Sequence, residues 1–319
     1  MLGSVLVCGG VFTHDRLDFV RLLQLDKDFN VHVVTDKDLL KPRLKVAGDY
    51  LILLGLKKTE RLLRKQRLET KEIISRIWTF CEKVIPAKIP LIVLDDWTLP
   101  TLELVGNKLR KHLFKNFNVR KYLLREYLTT EQYPKEVVSF TIPANDHTDL
   151  SIPANDKVTD FFFQGNLSDQ DRSVLFSKVK KRTRNYNCVY KTMTGGVKNT
   201  KDRLPFDAFL KTIASSKMCL HFKGTGYDCY RYQEIPSVGS IIVTPRYPWL
   251  VRNDYEDMKS CVVYSGGKEL KQKIDTIMGS SQLLAEMQSN SIERFKKYHT
   301  SDVRYQEFKQ FVNDAIRRD

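Results

Sequence analysis

The sequence has no run of about 18 apolar residues that could span a bilayer. It has no Cys-x-x-Cys pair, and of its six cysteines, Cys8, Cys81, Cys188, Cys219, Cys229 and Cys261, most fall in or beside apolar runs. Such thiols behave as small hydrophobes and fit a reducing, cytosol-like compartment. Neither they nor the six histidines show metal-ligand spacing, so no metal site and no cofactor are expected. The dinucleotide fingerprint Gly-x-Gly-x-x-Gly is also missing: Gly9 and Gly10 are followed by Val11, Phe12, Thr13 and His14, which argues against a dehydrogenase. The opening "MLGSVLVCGGVF" lacks a basic start and soon meets His14, Asp15 and Arg16, so it reads as a first buried strand and not as a leader.

What is abundant is positive charge. The 319 residues carry a formal net charge of +15, which attracts anions such as nucleic acid, an anionic membrane face or phosphorylated small molecules. Two stretches concentrate it, "KKTERLLRKQRLETK" and "KVKKRTRNY". No zinc-finger, homeodomain or RNA-binding signature accompanies them, so they read as solvated helix faces, with no specific nucleic acid expected and peripheral contact with a membrane left open. A basic nucleic-acid-binding protein is the main non-enzymatic alternative. The sequon Asn166-Leu167-Ser168 reads as a chance match.

The length suggests two hydrophobic cores. Short apolar runs alternate with helical patterns: "SVLVCGG", a helix over 15–25, "FNVHVVT", "DYLILLG", a basic helix over 59–84, "PLIVLDD", a helical stretch over 101–128, then "VVSFTIP". Residues 141–160 hold Ile-Pro-Ala-Asn-Asp twice and read as a linker. The alternation then restarts with "TDFFFQGN", a helix over 169–184, "YNCVYKTM", a helix over 205–216, "MCLHFKG", a helix over 229–238, "SIIVTP" and "SCVVYS". Strands alternating with helices predict an α/β chain built on parallel sheets. The expected division is 1–150, 151–290 and a C-terminal helical segment 291–319, whose apolar stripe of Tyr305, Phe308, Phe311, Val312 and Ala315 needs a partner surface.

In an open α/β sheet, ligands sit beyond the carboxyl ends of the strands. "MCLHF" is followed there by Lys223, Gly224 and Gly226, then by a helix opening with Tyr230 and Arg231. Glycine allows close approach of a ligand, a helix N-terminus favours an anion, and Arg231 offers a planar fork of donors suited to phosphate. Glu234 lies one turn on and can accept from two adjacent hydroxyls. Diphosphate followed by ribose has that layout. The bland alternative is a salt bridge on a solvated helix face.

The segment "PFDAFLKTIASSKMCLHFKGTGYDCYRYQEIPSVGSIIVTP" resembles the nucleotide-sugar-binding half of exostosin-type glycosyltransferases. Ser216, Cys219, Leu220, Gly224, Arg231, Glu234, Gly239 and Val243 occupy matching positions, and "DFFFQGNLSDQDRSVL" supplies Gly165 and Arg172. Ile235 replaces the usual Ala, and "GSIIV" lacks the family's Cys and Pro. "NVRKYLLREYL" is reminiscent of a Tyr-x-x-Arg-Glu element in bacterial and viral relatives.

The resemblance implies the GT-B fold: two Rossmann-like domains facing across a cleft, acceptor held by the first, donor by the second, and the C-terminal helix crossing back to the first. It implies transfer of a sugar from a nucleotide sugar, a UDP-sugar before a GDP-sugar, to a hydroxyl of an oligosaccharide or glycoprotein, by inversion and without a metal. A GT-B-shaped protein that binds a nucleotide sugar without transferring it is a further alternative. Gly165, Asn166, Arg172, Lys223, Gly224, Tyr230, Arg231 and Glu234 are the donor-binding candidates, and Arg231 also stabilises the leaving diphosphate. Asp95, Asp96 and His14, near strand ends of the first half, are candidates for the general base. The Asp-x-Asp pairs Asp26/Asp28, Asp36/Asp38 and Asp169/Asp171 read as turn and helix-start residues.

Overall fold

The short apolar runs of the first half form strands whose covered faces dictate a parallel sheet. β1 (Gly3–Val7), β3 (Tyr50–Leu54) and β4 (Leu91–Asp95) are buried along their whole lengths. With β2 (Phe29–Val33), β5 (Val119–Leu124) and β6 (Val137–Ser139) they build a six-stranded sheet in the order β2-β1-β3-β4-β5-β6, every pair parallel. The computed structural model describes residues 3–7, 19–33, 48–54, 67–95, 106–167, 169–193 and 204–317. Among the described residues of this half the helices are α1 (Phe19–Leu25), α2 (Thr70–Val84) and α3 (Asn107–Asn116). Helix α2 turns Ile73, Ile77, Phe80, Cys81 and Val84 onto the sheet at helical spacing.

Two expected elements are corrected. The helix expected over 59–84 starts only at Thr70: Arg67, at φ 61, and the two residues after it are not helical, and 59–66 lie outside the described residues. The stretch 101–128 is not continuously helical: α3 stops at Asn116, and Val119–Leu124 is strand β5. A short apolar run such as Tyr122-Leu123-Leu124 fits either period, and pairing with β4 on one side and β6 on the other decides for a strand.

The second half repeats the plan in five parallel strands. These are β7 (Thr159–Asn166), β8 (Cys188–Met193), β9 (Ser216–Leu220), β10 (Ile241–Pro245) and β11 (Cys261–Tyr264), in the order β11-β10-β9-β7-β8. Helices α4 (Gln170–Arg182), α5 (Phe206–Ala214), α6 (Tyr230–Ser237) and α7 (Gly267–Met278) cover it. Gly239 ends α6 with φ +73, and a Cβ there would overlap the Ser151 hydroxyl, so the tight turn into β10 needs glycine twice over.

Helices α8 (Ser281–Tyr298) and α9 (Ser301–Ile316) close the chain. The linker and the return crossing run side by side: Ala144 N donates to His299 O at 3.2 Å, and Ser301 N donates to Ala144 O at 2.9 Å. Helix α9 then lays its stripe on the first sheet. Phe308 and Tyr305 meet Phe19 edge to face at 5.4 and 5.7 Å, and Phe140 lies 6.3 Å from Phe308. The predicted partner of the stripe is therefore the first core.

Phe308 is fully buried among these rings. Phe308→Ala should lower unfolding free energy by about 3–5 kcal/mol, whereas Val174→Ala, on an exposed turn of α4, should cost under about 1 kcal/mol. Urea titration of both variants checks this, and equal small losses would contradict the packing of α9.

Candidate functional site

Strand order fixes where a ligand belongs. The chain leaves β7 for β8 on one side and returns as β9 on the other. The crevice between the carboxyl ends of β7 and β9 is thus the point at which the order reverses, where open α/β sheets bind ligands. Gly165 and Asn166 end β7, Arg172 lies in the first turn of α4, Lys223 and Gly224 follow β9, and Tyr230, Arg231 and Glu234 belong to α6. All eight candidates for the second half thus lie at the ends of β7 and β9 or on the two helices that follow those strands.

Their contacts differ in kind. The Arg172 guanidinium donates to Asn166 O at 2.9 Å and to Lys223 O at 2.8 Å, so it ties the ends of β7 and β9 together. Asp169 caps α4 by accepting from Arg172 N at 2.9 Å, which is the helix-start role expected of that aspartate. Lys223 pairs with the exposed Asp171 at 2.9 Å, a hydrogen bond that raises its pKa. A Cβ on Gly165 would stand 2.7 Å from the Phe163 ring, which explains the glycine. Arg231 stacks over Phe163, 5.3 Å from its centroid, and donates through Nη2 to Gln164 O. Glu234 is buried on the same helix, one turn further on, so it is no solvated surface carboxylate.

Three buried polar atoms near β7 and β9 have no partner among the described residues: Gln164 Oε1, His221 Nε2 and Arg231 Nε. Buried polar groups are ordinarily hydrogen-bonded, so such a group calls for a ligand or water. His221 bonds Thr244 Oγ1 at 3.0 Å through Nδ1, and burial, aided by Arg231 and Arg172, pushes its pKa down to about 3. It is therefore a neutral imidazole. Gln164 and His221 lie inside apolar runs, where sequence pattern reads them as core.

In the first half, Asp95 ends β4 and is buried, and its carboxylate accepts from Tyr122 OH at 2.5 Å. Asp96 and His14 lie outside the described residues, as do Asp36 and Asp38. Asp26 accepts from Asp28 N at 3.0 Å in a turn, and both carboxylates pair with Lys309. Among the described residues no three His, Cys, Asp or Glu side chains gather to hold a metal ion, and no helix is long and apolar enough to cross a membrane.

The constellation not assigned a role from sequence joins the two halves beside this crevice. Arg125 Nε donates to Asp228 Oδ2 at 3.1 Å and its Nη2 to Asp228 O, with both side chains buried. Ile142 N, in the linker, donates to the same Oδ2 at 2.8 Å. Glu126 accepts from Tyr227 N at 2.9 Å and Asp228 N at 3.3 Å. A Cβ on Gly226 would overlap the Glu126 carboxylate, so this glycine makes room for a side chain of the other half. The signal for it was the Arg-Glu pair of "YLLRE".

Burial, with Asp228 adding to it, pushes Glu126 up to about 7, and burial pushes Asp228 up to about 6. Raised carboxylates bind protons more tightly in the fold than in the unfolded chain. Their contribution is complete below about pH 4 and is lost as pH rises through 6 to 7. Melting curves of Glu126→Gln and wild type between about pH 5 and 7.5 should show the variant gaining on wild type as pH rises. Parallel pH profiles would contradict this.

Residues 172–310, somewhat under half of the chain, match the model of a protein family described as glycosyl transferase-like. No curated protein matches the sequence. Among solved structures, an alpha-glucosyltransferase in complex with UDP and a 13-mer DNA containing an HMU base gives a TM-score of 0.56 at 11% identity, over 98% of this chain and 99% of that one. Anabaena Alr3699/HepE in complex with UDP and glucose gives 0.53 at 12% identity, over 98% and 99%. A mutant of S. aureus TarM in complex with Fondaparinux, alpha-GlcNAc-glycerol and UDP gives 0.53 at 10% identity, over 83% of this chain and 56% of its own. At such identities the likeness speaks for fold, and with the two parallel sheets and the returning helix it gives this chain the GT-B architecture.

Proposed function

We propose that this chain is a glycosyltransferase that moves a sugar from a UDP-sugar to a hydroxyl of a glycan acceptor. The observation that carries this reading is the gathering of Arg231, Lys223, an α6 N-terminus and orphaned buried polar atoms at the point where the second sheet reverses its strand order. The match of residues 172–310 to a glycosyl transferase-like family supports it. UDP is favoured as the nucleotide because the similar structures of HepE, TarM and the alpha-glucosyltransferase all hold it.

In this reading, residues 1–150 hold the acceptor, residues 151–290 hold the donor, and 291–319 tie the donor half back to the acceptor half. Arg231 and Lys223, with the N–H groups that open α6, stabilise the charge that develops on the leaving diphosphate. Glu234 accepts from the ribose hydroxyls. Arg172, whose donors already bind two main-chain carbonyls, sets the spacing of the strand ends. We assign inversion without a metal, as in the exostosin-type resemblance, with the base at Asp96 or His14. Asp95, engaged by Tyr122, ranks behind them. The described cysteines are free thiols, which suits a reducing compartment.

The reading is tested by thermal shift against UDP, GDP and CMP, each with and without EDTA, because a ligand that binds only the folded state raises its melting temperature. UDP alone should stabilise, and EDTA should leave the shift intact. Arg231→Ala should lower turnover of the accepted UDP-sugar by about 10²–10³-fold. Because Glu234 is buried, Glu234→Gln is the variant that tests the ribose contact without opening a cavity. It should weaken UDP at least about tenfold, the loss of one charge-assisted hydrogen bond. No shift with any nucleotide would overturn the proposal.

A further inference from the structure

The basic stretch "KVKKRTRNY" plays no part in the crevice described above. Its residues carry the chain from the end of α4 through a turn into β8, the edge strand of the second sheet. Between helix end and strand lies an open groove of about 570 Å³, with Lys180, Lys181 and Arg184 along it and Tyr186 and Tyr190 beside them. Basic residues in a last helical turn complement the helix dipole, and that alone accounts for some of them. Arg184 lies beyond the helix, and Arg182 already donates to Gly267 O.

Among the described residues the charge here is not paired. Several cations elsewhere on this half are paired: Lys217 with Asp160, Lys271 with Asp275, Lys273 with Asp257 and Glu269, Arg294 with Glu256. Lys180, Lys181 and Arg184 make no ion pair among the described residues. The acids nearest Tyr186, Asp160 and Asp275, are the ones already taken up by Lys217 and Lys271. The tyrosines are also held in place. Tyr186 packs edge to face on Phe161 at 5.4 Å, and Tyr190 on Phe176 at 5.2 Å, with its hydroxyl 2.6 Å from Thr183 Oγ1.

Unpaired cations beside fixed aromatic rings in a concave surface fit a flexible polyanion whose units carry flat faces. We propose that this groove binds single-stranded nucleic acid without sequence preference, with phosphates on Lys180, Lys181 and Arg184 and bases on Tyr186 and Tyr190. A bilayer surface is flat, and none of the large exposed apolar side chains among the described residues, Leu25, Val158, Val174 and Leu250, lines the groove. Along helix α4 the groove's Lys180 lies about 12 Å from Arg172 at 1.5 Å per residue. The groove is thus a second site, and the proposal stands whether or not the crevice takes a UDP-sugar.

The test is fluorescence anisotropy of fluorescein-labelled dT20 with the full chain, titrated at several salt concentrations. Saturable binding is expected. The triple variant Lys180→Glu, Lys181→Glu, Arg184→Glu should weaken it at least tenfold and reduce the slope of log K against log salt by about 2, from three lost phosphate contacts at about 0.7 each. Tyr186→Leu with Tyr190→Leu should weaken binding about fivefold or more with the slope unchanged. Because these rings also pack on the core, Tyr186→Phe with Tyr190→Phe, which keeps the stacking faces, should restore affinity.

A control triple, Lys108→Glu, Lys111→Glu and Lys115→Glu on α3, removes as much charge from the other half. An equal loss in that control would mean attraction by net charge alone and overturn the site. Equal affinity for a 20-base-pair duplex, or for heparin, would overturn the role of unpaired bases. Binding of phosphatidylserine vesicles but not dT20 through the three cations would replace the proposal with a membrane contact.

Discussion

The buried pair between Arg125 and Asp228 holds the two halves of this molecule in one register. Two desolvated charges are costly to bury, and the cost is offset only when hydrogen bonds satisfy them. Here Asp228 Oδ2 takes donors from β5's end and from the linker at Ile142, and Arg125 also binds the Asp228 carbonyl, while Asp228 Oδ1 has no partner among the described residues. Removing either partner would leave a buried charge alone, an effect of about 3–5 kcal/mol. Around this pair the halves meet again: Trp249 Nε1 donates to Arg125 O at 3.3 Å, Leu250 N to Tyr127 O at 2.9 Å, and Ser139 Oγ to Leu250 O at 2.5 Å. Arg304, fully buried at the start of α9, lies over Phe140 and reaches Thr141 O at 3.3 Å, which fixes the returning helix to the same junction.

That junction has a consequence for the crevice. Gly226, Tyr227 and Asp228 form the far side of the glycine loop whose near side is Lys223 and Gly224, with Gly224 N donating to Gly226 O at 2.8 Å. A carboxylate of the first half, Glu126, thus helps set the shape of a loop that borders the site in the second half. Rotation of one half against the other would have to break these bonds or move the loop with them. Local geometry at Arg231 and the relative placement of the halves are therefore linked through one short segment.

Sequence pattern disclosed the sheets wherever an apolar run was bounded by glycine, proline or a charged turn, as in "TDFFFQGN" and "SIIVTP". It also disclosed the returning helix, because the stripe from Tyr305 to Ala315 has a helical period and no local partner. It mistook β5 for helix, since Lys121-Tyr122-Leu123-Leu124 satisfies both periods. The placement of Arg231 and Glu234 on one helix was legible from their spacing of three residues. Arg125, Glu126 and Asp228 were not legible as a unit, for their partners lie about a hundred residues apart and only the packed halves join them. His221 and Gln164 were hidden for a different reason: a polar residue in a buried strand looks like core until its unpartnered atom is seen.

The most direct measurement is a crystal structure of the chain soaked with UDP. The account requires the diphosphate at the N-terminus of α6, with Arg231 donating to it and the ribose hydroxyls on Glu234, between the carboxyl ends of β7 and β9. Ordered UDP elsewhere, against the first sheet or in the groove beside α4, would contradict it.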